Sequence, residues 1–283
     1  MAFQRFFDTN VIQTLSGESM DLYQKLTVDI KKGDVFPAVR QGNLDFYFAG
    51  GLLFSLSNSG FAPRDKNYEK NHNQGTAFMD YYKKCQTQNK NKFIGTSGKP
   101  KERQVLDRLN KKTFIPNHGK VVVIDVEINI HEDNNKKCDL LLLNTDSKQI
   151  MFVEGKLYQN KEMREIPNKD GNGKLTKSPP PVALQVCGYT QTLITHQDKI
   201  VEQYAKHIEI VNTLFNKNFP TKVSLVLPAK LLVYSQGYER PSRENSTRII
   251  TEYICKRNVM WNFSNNYNED QPSLETIWDY LYY

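Results

Sequence analysis

Two neighbouring segments decide what this chain can become. Cys138-Asp139-Leu140-Leu141-Leu142-Leu143-Asn144 holds four consecutive leucines, and Gln149-Ile150-Met151-Phe152-Val153-Glu154-Gly155-Lys156-Leu157 follows after only Thr145-Asp146-Ser147-Lys148. Apolar runs of this length bounded by turn residues predict buried central strands. The short connection predicts that they pair as a hairpin. In that hairpin Asp139 lands near the Glu154 end of its neighbour. Side chains alternate along a strand, so Glu154 and Lys156 share one face while Val153, Gly155 and Leu157 take the other.

Charged groups in such surroundings need a reason. Unpaired carboxylates are costly to bury, and the flanking Leu141, Leu143, Phe152 and Val153 make both strands read as interior. The plain alternative is a structural ion pair on a solvated sheet face, with Asp139 merely ending a turn. The functional reading is the stronger one. Two carboxylates supply hard oxygen ligands for Mg²⁺, which keeps several waters and binds phosphate oxygens directly. Lys156 adds a compact positive charge that can orient or deprotonate an attacking water and stabilise charge building on phosphorus oxygens.

The rest of the chain arranges itself around this hairpin. A helix is expected at Lys101–Asn110 after Pro100, with Glu102, Val105, Leu106 and Leu109 on one stripe, followed by a strand at Lys120–Ile130. Residues 159–181 contain Gly171, Gly173 and the triple proline 179–181 and read as a long loop poised beside the third strand. Helices at Val182–Ile194 and Lys199–Asn216 and a strand at Val223–Tyr234 complete a β-β-β-α-α-β order. Leu274–Tyr282 reads as a last helix. Upstream, a helix at Asp21–Lys31 precedes a small hairpin of Val35–Arg40 and Leu44–Leu56. Its phenylalanines 36, 46, 48 and 54 read as a packing face rather than a base-stacking platform. Residues 63–100 are polar and rich in Lys and Asn, a linker or arm with room for a short helix near Phe78–Tyr82. This gives an N-terminal lobe with linker at 1–95 and a second domain at 96–283.

Cys138-Asp139-Leu140-Leu141 and Glu154-Gly155-Lys156, on two adjacent strands and followed by Gln185-x-x-x-Tyr189, resemble the D…ExK signature of the PD-(D/E)XK nuclease superfamily. Cys138 stands where some members have proline. The Gln-x-x-x-Tyr element is similar to that of the exonuclease and recombination branch, and the resemblance spans about residues 97–235. It implies an α/β, restriction-endonuclease-like core, a mixed central sheet flanked by helices, with a small N-terminal α+β lobe in front. It further implies Mg²⁺-dependent phosphodiester hydrolysis, with Mn²⁺ able to substitute, leaving a 5′-phosphate and a 3′-hydroxyl. Asp139, Glu154, Lys156, Gln185 and Tyr189 would be the catalytic set. Asp139 and Glu154 would hold the metal, with Glu102 as an outer ligand. For Glu102 a cap or surface salt bridge is the plain alternative; for Gln185 and Tyr189 it is helix packing. Asp125 and Glu127 share a face of the first strand, and Glu127 reads as a structural partner more than as support for the metal.

Composition narrows the rivals. A net charge of +7 and a pI near 9.0 suit a polyanionic partner, and the basic stretch 90–101 could follow a phosphate backbone; charge does not separate DNA from RNA, and DNA is favoured through the nuclease resemblance. No apolar run is long enough for a membrane span, and the first residues lack the order of a signal peptide, so a cytoplasmic protein without a membrane partner is expected. Cys85, Cys138, Cys187 and Cys255 lie far apart, which predicts neither zinc nor disulfides but reduced, mostly buried thiols. The five histidines show no zinc-hydrolase spacing, no serine sits in a G-x-S-x-G elbow, and Gly171-Asn172-Gly173-Lys174 is no phosphate-binding P-loop. A role in restriction or anti-phage defence fits. A catalytically inactive nucleic-acid-binding module of the same fold, a partner-gated toxin or effector, and a homodimer that cuts both strands all stay open.

Overall fold

A computed structural model describes residues 4–63, 78–93, 106, 109, 113–115, 119–130, 137–169, 171, 174–234, 250–262 and 272–283. Leu22, Leu26 and Ile30, one turn apart, are the buried ridge of α2 (Gly17–Lys32), which follows the single turn α1 (Val11–Thr14). Gly33 ends α2 at φ 79°, where its N–H returns to Asp29 and Ile30 carbonyls.

Four antiparallel strands come next: β1 (Val35–Val39), β2 (Leu44–Phe48), β3 (Gly51–Ser57) and β4 (Gly60–Pro63). The segment Leu44–Leu56, read as one strand from sequence, is two. Ala49 and Gly50 turn the chain at φ 49° and 74°, and alanine in that region carries no turn signal. Phe46 and Phe54 are fully buried, and Phe54 packs edge-on against Phe61, Phe78 and Tyr81. The aromatic cluster is core, as expected. Phe78 and Tyr81 begin α3 (Phe78–Phe93), a full helix where the sequence suggested a short one. Tyr82 Oη donates to Asp29 of α2 at 2.7 Å, and Lys25 reaches the same carboxylate at 2.6 Å.

The second sheet has the order β11 (Val259–Asn262), β10 (Ser224–Tyr234), β7 (Gln149–Leu157), β6 (Lys137–Asn144) and β5 (Val121–Asn129). Strands β5, β6 and β7 are antiparallel neighbours. β10 and β11 add on in parallel. A parallel neighbour requires a crossover, which α4 (Pro181–Thr195) and α5 (Gln197–Phe215) provide. The molecule is therefore mixed α/β, with a mixed sheet flanked by helices. On the face opposite Glu154, a Cβ on Gly155 would meet the two Leu106 methyls at 2.5 and 2.9 Å, so glycine makes room for Leu106 against the strand. Leu106 and Leu109 are helical and buried; the remainder of the expected 101–110 helix, Glu102 included, lies outside the described residues.

Two sequence expectations are corrected. The excursion after β7 is no plain loop, because it holds a 3₁₀ turn at Lys161–Met163 and a hairpin of β8 (Ile166–Lys169) and β9 (Leu175–Ser178). Short strands interrupted by Pro167 and bordered by glycines lack the apolar alternation that reveals a strand. Of the cysteines, Cys85 and Cys138 are buried but Cys187 and Cys255 are exposed; Cys187 falls on the outer face of α4. The chain closes with α6 (Leu274–Tyr282), where Ile277, Trp278 and Leu281 are buried and Ser273 caps the first turn. Among the described residues, no helix is long and apolar enough to cross a membrane.

A buried carboxylate ties the two sheets together. Asp125 of β5 receives Arg5 Nε at 3.1 Å, the Arg40 guanidinium, and Tyr204 Oη of α5 at 2.9 Å. Burial alone would push its carboxyl up, but Arg40, then Arg5 and His207, hold it well below the ordinary carboxylate range. Arg40 also donates to the Val126 carbonyl. Burial in turn brings the neighbouring His207 down to about 4 against the pull of Asp125, and its Nε2 lies 2.7 Å from the Ile124 carbonyl.

Candidate active site

Strands β6 and β7 pair from Asn144 and Gln149 as far as Leu140 and Val153, and there they part. β6 stays with β5 down to the Asn129–Lys137 pair. β7 stays with β10 from Glu154–Leu231 to Leu157–Tyr234. The sheet therefore forks immediately beyond Leu140 and Val153, and the next residue on each prong is Asp139 on one side and Glu154 on the other. A backbone N–H left without a strand partner needs another acceptor. Asp139 supplies it, its Oδ2 accepting from Gly155 N at 2.8 Å across the fork.

Glu154 is 1% exposed and points to the face covered by α4. Its Oε1 takes the Lys156 ammonium at 2.8 Å and the Gln185 side-chain amide at 2.9 Å. Gln185 Nε2 also lies 2.5 Å from Tyr189 Oη, one helical turn further along α4. Burial, then the charge of Glu154, raises the Tyr189 phenol well above its ordinary value, so it stays protonated. Cys138, fully buried beside the fork, is raised in the same way by burial, then Glu154 and Asp139. Cys138 thus lies in the field of both carboxylates.

The structure brings Asp139, Glu154, Lys156, Gln185 and Tyr189 together. Glu102 lies outside the described residues. Glu127 falls between the Val126–Leu140 and Ile128–Cys138 pairs, across from Asp139, half-buried and at φ 50°. Asp125 belongs to the arginine cluster.

Sequence reasoning missed Glu162. It sits on the 3₁₀ turn after β7, and its Oε2 is 3.2 Å from Lys156 Nζ, so the ammonium lies between two carboxylates. Asn160 was the available signal: its side chain accepts from the Glu162 N–H at 3.1 Å, an asparagine-led turn that returns the chain toward the strand it has just left.

Among the described residues, no three His, Cys, Asp or Glu side chains gather as a metal-holding group. The pair Asp139 and Glu154 still suits Mg²⁺ by donor chemistry, since that ion takes one or two carboxylates and completes its shell with water and phosphate oxygen. Compared with known proteins, the sequence matches no family model and no curated protein.

Proposed function

We propose that this chain is a Mg²⁺-dependent nuclease of the PD-(D/E)XK type, with a restriction-endonuclease-like core, hydrolysing phosphodiester bonds in DNA. The observation that carries the reading is the fork. It sets an acidic residue on each prong, with a lysine two residues along the second prong held on the same face.

Asp139 and Glu154 would hold Mg²⁺, or Mn²⁺ in its place. Bound there, the ion would neutralise phosphate charge and acidify a water. Gln185 fixes the Glu154 rotamer by donating to Oε1, and Tyr189 keeps the Gln185 amide turned toward the strand. Lys156 offers its ammonium to the attacking water or to a non-bridging phosphate oxygen as negative charge develops. The surplus of basic side chains favours encounter with a polyanion.

The test is cleavage of supercoiled, linear and single-stranded DNA with Mg²⁺, Mn²⁺ or EDTA, comparing wild type with Lys156→Ala and the volume-keeping Lys156→Met. Both variants should lose about 10²- to 10³-fold in rate while retaining native circular dichroism. Wild-type protein that cuts none of these substrates with either ion would defeat the proposal.

A further inference from the structure

We infer that Glu162 is a positioning residue, a second anchor for Lys156 that lets the lysine leave Glu154 when a divalent cation is bound. The inference rests on the reading of Asp139 and Glu154 as a cation site.

Lys156 Nζ stands 2.8 Å from Glu154 Oε1 and 3.2 Å from Glu162 Oε2. The Glu154 oxygens would be shared with an incoming cation, and a cation held by that carboxylate would repel the ammonium bonded to it in this buried setting. The lysine is 8% exposed and has little room to escape into water. Glu162 offers it a place to go, and that place is built. Asn160 Oδ1 caps the Glu162 N–H, Met163 N bonds the Asn160 carbonyl at 3.0 Å, and Met163 is 1% exposed. The turn packs against α4, the helix that carries Gln185. Glu162 itself is 31% exposed, so it can take the ammonium with little rearrangement of its surroundings. Without it, Lys156 would keep its hold on Glu154 and compete with the cation for that carboxylate.

The experiment measures Mn²⁺ binding alone, by calorimetry and by the Mn²⁺ electron-paramagnetic signal, for wild type, Glu162→Gln, Lys156→Met and the double variant. Glu162→Gln should weaken Mn²⁺ by about five- to tenfold. In the Lys156→Met background the same substitution should change affinity by less than about twofold, because the competitor is gone. Unchanged affinity in Glu162→Gln overturns the inference. So does an equal loss in the Lys156→Met background, which would mean that Glu162 acts by its own field. Should Glu162→Gln lose native circular dichroism, Glu162→Asp takes its place, with partial weakening expected and wild-type affinity overturning.

DNA cleavage measured in parallel separates the two claims. Coupled Mn²⁺ binding without cleavage defeats the nuclease reading and leaves Glu162 as a positioning residue. Cleavage with uncoupled binding does the reverse. Wild type that binds no Mn²⁺ overturns both.

Discussion

Gln185 Nε2 donates to Glu154 Oε1 at 2.9 Å, the same oxygen that holds the Lys156 ammonium. A helix that arrives only after the long excursion from β7 thus sets the rotamer of a strand carboxylate 31 residues earlier in the chain.

Gln185→Ala should lower stability by about 1–2 kcal/mol, the worth of a buried hydrogen bond to a charged group. Cleavage should fall by about tenfold, as for other groups that orient a ligand without touching substrate. Urea denaturation and a plasmid-nicking rate measure the two, and a wild-type rate would mean that Glu154 needs no such support.

Gly155→Ala would drive a methyl into Leu106 at 2.5 Å. Overpacking of this kind costs about 1–3 kcal/mol, and a shift of the strand would disturb the Gly155 N–H held by Asp139. Adding Leu106→Ala should recover part of the loss in thermal melts. Simple additivity of the two substitutions would show that the strand and Leu106 do not press on one another.

Asp125→Asn leaves the buried Arg5 beside a neutral amide, while Arg40 keeps its longer ion pair to Asp45 at 3.8 Å. The expected loss is about 3–5 kcal/mol in urea denaturation. A change under about 1 kcal/mol would place this cluster with ordinary surface pairs.

His207 gives a pH signature. Its folded value is pressed from 6.5 to about 4 by burial, so the unfolded chain takes up the proton first as pH falls. Stability therefore declines from about pH 6.5 down to about pH 4, by about 3 kcal/mol, and this contribution is flat outside that window. His207→Gln, which keeps a donor for the Ile124 carbonyl, should show a smaller decline over the same range; parallel curves would remove His207 as the cause.

The β6–β7 hairpin and its charged residues were legible in sequence because alternation and apolar runs are local, and because Asp139, Glu154 and Lys156 lie within two short strands. Gln185 and Tyr189 were legible as neighbours on a helix, though the bond from Gln185 to Glu154 was not. Glu162 escaped notice because its role depends on how a polar segment doubles back. Arg5, Arg40, Tyr204 and His207 escaped for a related reason. They meet Asp125 from three separate stretches of chain, and no spacing in the sequence encodes that convergence. Ala49 hid a turn because its residue type disagrees with its backbone.

The Arg5–Asp125–Tyr204 contact also sets an order of events during synthesis. Arg5 leaves the ribosome 120 residues ahead of its acid and 199 ahead of its tyrosine. Arg5 gains these two partners only after α5 has been made, so the contact reports that strand β5 and helix α5 are both in place.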